Sequence, residues 1–147
     1  MEPFPHSYTT TITGKDNGHL LSESQTCPVL HVAEPKEFGG TGEYWSPEQL
    51  FVSTIASCLI LTFRVIAKAS GFSWEDISCE AQGQLDRVDG ANLFTQMNLD
   101  VCLTVRTEED TKKALRILTK AENQCLIKNS VSSEVNFKNK IVALNQE

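Results

Sequence analysis

This sequence has no Cys-x-x-Cys, no excess of positive charge, no evident leader and no apolar run of bilayer length. Each absence removes a class. The 5 cysteines, at positions 27, 58, 79, 102 and 125, are odd in number and lack the spacing of a secreted disulfide framework or a zinc ribbon. Lys and Arg total 13 against 19 Asp and Glu, a net charge of -6 at pH 7. Nucleic acid and anionic membranes require a basic footprint, so neither is expected as a partner. The start, Met1-Glu2-Pro3-Phe4-Pro5-His6, has neither a positive n-region nor an apolar h-region. The longest apolar stretch, Phe51 to Phe63, falls short of the ~20 residues that span a bilayer, and Ser53, Thr54 and Ser57 interrupt it. A soluble, cytoplasmic protein is expected, and in that compartment thiols stay free unless they have a task. His6, His19 and His31 are too scattered for a metal site. The loop Phe38 to Gly42 lacks the Gly-Lys-Ser/Thr ending of a phosphate loop.

What is present reads as one α+β domain over residues 1–147. Tyr8, Thr10 and Ile12 alternate as a strand, Lys15-Asp16-Asn17-Gly18 is a hairpin turn, and His19 to Glu23 returns antiparallel. Val29 to Val32 predicts a third short strand. A long helix follows, opened by Ser46 as N-cap, Pro47 in the first turn and Gln49 closing a capping box, and ended by Gly71. Its first half is apolar on nearly all sides, from Leu50 to Leu61, which predicts burial all round and a second subunit to complete it.

Beyond the helix, Ile77, Cys79, Ala81, Gly83 and Leu85 alternate with polar residues. After the Asp89-Gly90 turn, so do Leu93, Met97, Leu99, Val101, Leu103 and Val105. Thr107 caps a second helix whose acidic first turn suits its dipole. Ala114, Leu118, Ala121 and Cys125 fall on one face of it, so Cys125 points inward. Val131, Ser133, Val135 and Phe137 predict a last strand.

Two cysteines therefore stand out. Cys58 lies inside the apolar helix and Cys125 closes the next one, an arrangement that suggests an attacking and a resolving thiol. The plainer alternative is that Cys58 is a small buried residue. Nucleophilic attack needs a thiolate. Cys58 is about three turns inside its helix, too far for the dipole to help, and burial raises a thiol pKa. A cation is therefore required; Lys36 is one candidate and an arginine of a second subunit is another. Glu48 precedes Cys58 by about 15 Å of helix. It either serves the site from another subunit or through an intermediate cation, or simply favours the helix N-terminus.

The run Ser46-Pro47-Glu48-Gln49-Leu50 followed by Ala56-Ser57-Cys58, with Gly39-Gly40 before it and Cys125 after it, resembles the OsmC/Ohr family of osmotically induced and organic-hydroperoxide-resistance proteins. The resemblance implies an intertwined homodimer with N-terminal antiparallel strands, a long buried central helix, C-terminal strands and a second helix. It implies a thiol peroxidase for organic hydroperoxides and hydrogen peroxide, needing neither metal nor haem and restored by an external dithiol. Cys58 matches the peroxide-attacking cysteine, Cys125 the resolving one, and Glu48 the glutamate that orients a catalytic arginine. No arginine precedes Arg64 here, and Cys125-Leu126-Ile127 stands where the organic-hydroperoxide branch has Cys-Pro-Tyr. The alternative reading is a member of the same fold that binds a small apolar ligand or senses redox state.

Overall fold

The computed structural model describes residues 1–145, which pack as two compact units, one of residues 1–51 and one beginning at Val52. In the first unit the threonine-rich start and the Asn17-Gly18 turn produce a three-stranded antiparallel sheet. Its strands are β1 (Thr11–Thr13), β2 (Leu20–Glu23) and β3 (Leu30–Val32), in that order. The ladder runs Thr11 to Glu23, Thr13 to Leu21 and Leu20 to Val32. The first strand is shorter than its alternation predicts: Tyr8 lies outside the ladder and is exposed. Val32 is the buried apolar residue of this unit, bridged to Trp45, whose carbonyl accepts the Ala33 N–H at 2.9 Å.

Helix α1 (Pro47–Ala69) starts where the sequence places it. The buried Ser46 hydroxyl accepts the Gln49 N–H and the Gln49 side-chain oxygen accepts the Ser46 N–H, both at 3.1 Å. Two orphan amides of the first turn are thus satisfied reciprocally. At the other end Gly71 takes φ +59°. Its N–H donates to the Lys68 carbonyl and the Phe72 N–H to the Ala67 carbonyl, the paired bonds of a Schellman stop.

Within the chain it is buried on one stripe, Ile55, Leu59, Phe63, Ile66 and Ala67, while Leu61 and Val65 are 55% and 70% exposed, on sides that the sequence assigns to a second subunit. One expectation for this helix needs correction: its 23 residues reach a mean hydropathy of 2.1 over an 18-residue window, long and apolar enough by length and composition to cross a bilayer. The sequence estimate fell short because small hydroxyl residues, which a helix tolerates, were taken as interruptions.

In the second unit β4 (Asp76–Val88) and β5 (Ala91–Thr107) form a long antiparallel pair around the Asp89-Gly90 turn. Alternation places Met97, Leu99, Val101, Leu103 and Val105 on the core face, each at most 2% exposed. A register shift at Gln84/Leu85 breaks the phase. Beyond it Leu85 and Leu93 are 39% and 41% exposed, against the expectation that both face the core.

Strand β6 (Glu134–Asn145) runs parallel to β5, pairing from Gln96–Glu134 to Thr107–Asn145, and completes the order β4-β5-β6. The sequence began this strand at Val131, three residues early. Parallel neighbours need a crossover. Here it comprises a 3-10 turn (Glu108–Asp110), α2 (Thr111–Gln124) and α3 (Leu126–Ser130). Thr107 and Asp110 form a capping box at its start. Ala114, Leu118, Ala121 and Cys125 are all fully buried, as their spacing predicts.

Candidate thiol site

The two cysteines singled out by the sequence meet in the second unit. Cys58 is half-buried on α1, with its sulfur 3.9 Å from the Thr62 hydroxyl one turn on. Cys125 is fully buried, and its sulfur lies 4.0 Å from the Ile55 carbonyl oxygen, to which it donates. The Cys58 thiol neighbours that of Cys125 and helps raise its pKa. Both thiols are free. Residues 67 positions apart in the sequence are thus brought to one turn of α1.

The local backbone explains how Cys125 gets there. It closes α2 and opens α3 in a single extended conformation, φ -64° and ψ 105°, which turns its side chain back toward α1. In this position it also caps α3: its carbonyl accepts the Asn129 N–H at 3.0 Å. The backbone N–H groups of Lys128 and Ile127 favour its thiolate. Burial pushes the Cys125 thiol up from 9.0 to about 11, the Cys58 neighbour adds to the rise, and the two amides oppose it. Cys125 is therefore a neutral thiol near neutral pH. These amides are the part of the site that the sequence concealed, because a break of one residue between two helices leaves no periodicity signal. Thr62 was legible, being four residues after Cys58 on the same helix.

The partners found on the two sulfurs are hydroxyl, carbonyl, amide and thiol groups, all uncharged. The other cysteines have different surroundings. Cys79 is raised to about 11 by burial and by Asp100, Cys102 is half-buried, and Cys27 is exposed.

Glu48 belongs to the first unit. It lines a cavity of about 620 Å³ there, and its Oε2 is buried without a hydrogen-bond partner. Lys15 lines the same cavity, a neighbour the sequence did not indicate. Lys36 sits in the 3-10 turn before the glycine loop with its aliphatic stem against Gly42. Among the described residues the ion pair formed is Arg106 with Glu75, so neither lysine is held in one.

The architecture and the thiol pair define a class: α+β proteins in which a long apolar helix and a crossover helix end each supply one cysteine. Solved structures share the fold. An OsmC-like protein of unknown function from Vibrio cholerae aligns with a TM-score of 0.81 at 19% identity, over 92% of this chain and 100% of that one. An organic hydroperoxide resistance protein from Legionella pneumophila aligns at 0.72 and 24% identity, over 95% and 99%. OhrB, the organic hydroperoxide resistance protein of Bacillus subtilis, aligns at 0.65 and 23%, over 92% and 98%. The chain is also similar to the uncharacterized protein YmaD of Bacillus subtilis, 24% identical over 110 residues and 73% of either chain. The model of the OsmC-like protein family matches residues 40–140, and this chain belongs to that family.

Proposed function

We propose that this protein is a cysteine-based thiol peroxidase that reduces organic hydroperoxides and hydrogen peroxide in the cytoplasm. The observation that carries the reading is that Cys125, from a separate element, places its sulfur on the Ile55 carbonyl of the turn that carries Cys58, with the two thiols as neighbours. Cys58, as its thiolate, attacks the distal oxygen of the hydroperoxide. The O–O bond breaks, the alkoxide leaves and takes up a proton as the alcohol, and Cys58 becomes a sulfenic acid. The Cys125 sulfur then displaces the sulfenic hydroxyl, which leaves as water, and a Cys58–Cys125 disulfide forms. An external dithiol returns two electrons and two protons.

Cys58 is the better nucleophile of the two because it is partly accessible, whereas Cys125 is fully buried and held neutral. Glu48 acts as the positioning carboxylate for the cation that activates Cys58. The names of the Legionella and Bacillus relatives support hydroperoxides as the substrate class. The functional form is a homodimer in which a second copy covers the outer face of α1.

A second reading is favoured by the uncharged set of partners on both sulfurs: a redox sensor or small-ligand binder with slow peroxide chemistry. Stopped-flow oxidation separates the two. The peroxidase reading expects Cys58 to react with cumene hydroperoxide far faster than free cysteine does at neutral pH, and a rate no greater than free cysteine's selects the second.

A further inference from the structure

The groove between the end of α1 and α2 carries charge that neither the fold nor the thiol chemistry uses. Both stretches belong to the second unit. The groove encloses about 630 Å³, within the ~300–1,000 Å³ range of small-molecule sites. Its floor is apolar: Ile66 and Ile117 line it and are 7% and 6% exposed. Lys112, Lys113, Arg116 and Lys120 line it too, with no carboxylate among the lining residues. In a chain of net charge -6 that is a local reversal of sign.

Lys113 has a structural task. Its Nζ donates to the Ser70 carbonyl at 3.3 Å and stands 5.6 Å from the centre of the Phe72 ring, which ties α2 to the end of α1. Lys112, Arg116 and Lys120 have no such task. They recur at every fourth residue and so share one ridge of α2, where like charges at this spacing destabilise a helix. All three are exposed, and among the described residues none is held in an ion pair. Glu122 is the one acid of α2; it does not line the groove, and it accepts the Asn139 Nδ2 donor at 2.6 Å. Aligned cations beside a recessed apolar floor are complementary to a molecule with an anionic head and an apolar body. A lipid surface instead takes apolar side chains that project. Of the three apolar residues lining the groove Leu115 alone projects, and Ile66 and Ile117 are out of a bilayer's reach.

We propose that this groove binds an organic anion, a carboxylate or phosphate monoester with an apolar body. The planar Arg116 fork takes the anionic oxygens, Lys112 and Lys120 flank it one turn away on either side, and the apolar body lies over Ile66 and Ile117. The site is separate from the thiol pair, so the inference goes beyond the peroxidase reading and does not rest on it. Naphthyl phosphate and naphthoate are titrated into the reduced protein by calorimetry. Naphthylmethanol, naphthylmethylamine and inorganic phosphate are run in parallel, and NMR shifts are followed at Ser70 and Thr119.

Saturable binding of at least one naphthyl anion is expected, the tighter of the two naming the head group. The alcohol and the amine should be excluded, and inorganic phosphate should bind at least about tenfold more weakly for want of an apolar body. Arg116→Gln should weaken binding by at least about tenfold, the effect of losing one charge-assisted hydrogen bond. Lys112→Gln with Lys120→Gln, which leaves Arg116 in place, should weaken it as well. Arg87→Gln, which removes an exposed charge from the β4–β5 hairpin, should leave it unchanged. Absence of saturable binding overturns the proposal. So does alcohol or amine binding as well as the anions, an equal response to Arg87→Gln, or insensitivity to the ridge substitutions in variants whose NMR spectra show them folded. Protein that pellets with phosphatidylglycerol vesicles but ignores the dissolved anions overturns it in favour of a lipid surface.

Discussion

The Cys125 sulfur rests 4.0 Å from the carbonyl oxygen of Ile55, three residues before Cys58 on the same helix. That contact holds the second thiol over the turn of α1 that presents the first. A mild equivalent of hydroperoxide is therefore expected to link Cys58 to Cys125 ahead of any pair that includes Cys27, Cys79 or Cys102. Peptide mass mapping after quenching would show it. Cys58→Ser should abolish peroxide consumption. Cys125→Ser should complete one turnover and then carry Cys58 on to sulfinic acid, because no resolving sulfur remains.

The pH dependence of stability follows from the Cys125 shift. Folding raises this thiol from 9.0 to about 11, so both folded and unfolded chains hold the proton below pH 9 and stability there is unaffected. As pH rises from 9 toward 11 the unfolded chain releases its proton first and stability falls, by on the order of 2 kcal/mol. Cys79 shifts in the same direction, but it is only half-buried and contributes less. Urea unfolding at neutral pH and at pH about 10.5 should show the loss, and Cys125→Ser should reduce it.

Gly83 sits on the core face of β4 with no room for a side chain. A Cβ there would lie 2.7 Å from Val52 Cγ2, 2.8 Å from Phe94 Cε1 and 2.9 Å from Met97 Sδ. Gly83→Ala is expected to cost about 1–3 kcal/mol by overpacking, and Gly83→Val more. Thermal unfolding would measure both; an alanine variant as stable as the parent would mean that all three neighbours yield freely.

Ser46→Ala removes a buried cap that the Gln49 amide uses. A loss of about 1–2 kcal/mol is expected in chemical unfolding. Ser46→Asp should recover part of it, since a carboxylate accepts the same amide and suits the helix dipole.

The proposed dimer makes a separate demand. Leu61 and Val65 are 55% and 70% exposed on α1, and covering what remains of each contributes about 1–2 kcal/mol. Sedimentation equilibrium is expected to give twice the 16.3 kDa chain mass. Leu61→Glu with Val65→Lys should shift the species to monomer. A parent protein that sediments as a stable monomer would remove the dimer from the proposal.

Much of this was legible in the residues. Ser46 and Gln49 announced the start of α1, Gly71 its end, and the spacing of Ala114, Leu118, Ala121 and Cys125 the buried face of α2. These signals are local, read within one or two turns. What stayed hidden was non-local. Alternation gave the inward face of β5, but the register shift at Gln84/Leu85 depends on the partner strand, so Leu85 and Leu93 were misplaced. The approach of Cys125 to Cys58 depends on where the crossover lands. The unpartnered Glu48 oxygen depends on the walls that the hairpin turn, the end of β3 and the glycine loop build around it.

Cys125 stands at a joint of one extended residue in the crossover, while the strands on either side of that crossover are locked by a long parallel ladder. Going from neighbouring free thiols to a covalent link shortens the sulfur separation, and some part of the chain must absorb the motion. Rotation at this joint can tilt α3 without breaking a rung between β5 and β6. Each turn of the proposed cycle would then be a small mechanical stroke of the crossover, with the exposed Leu126 on α3 carried along and the change of thiol state displayed at the surface.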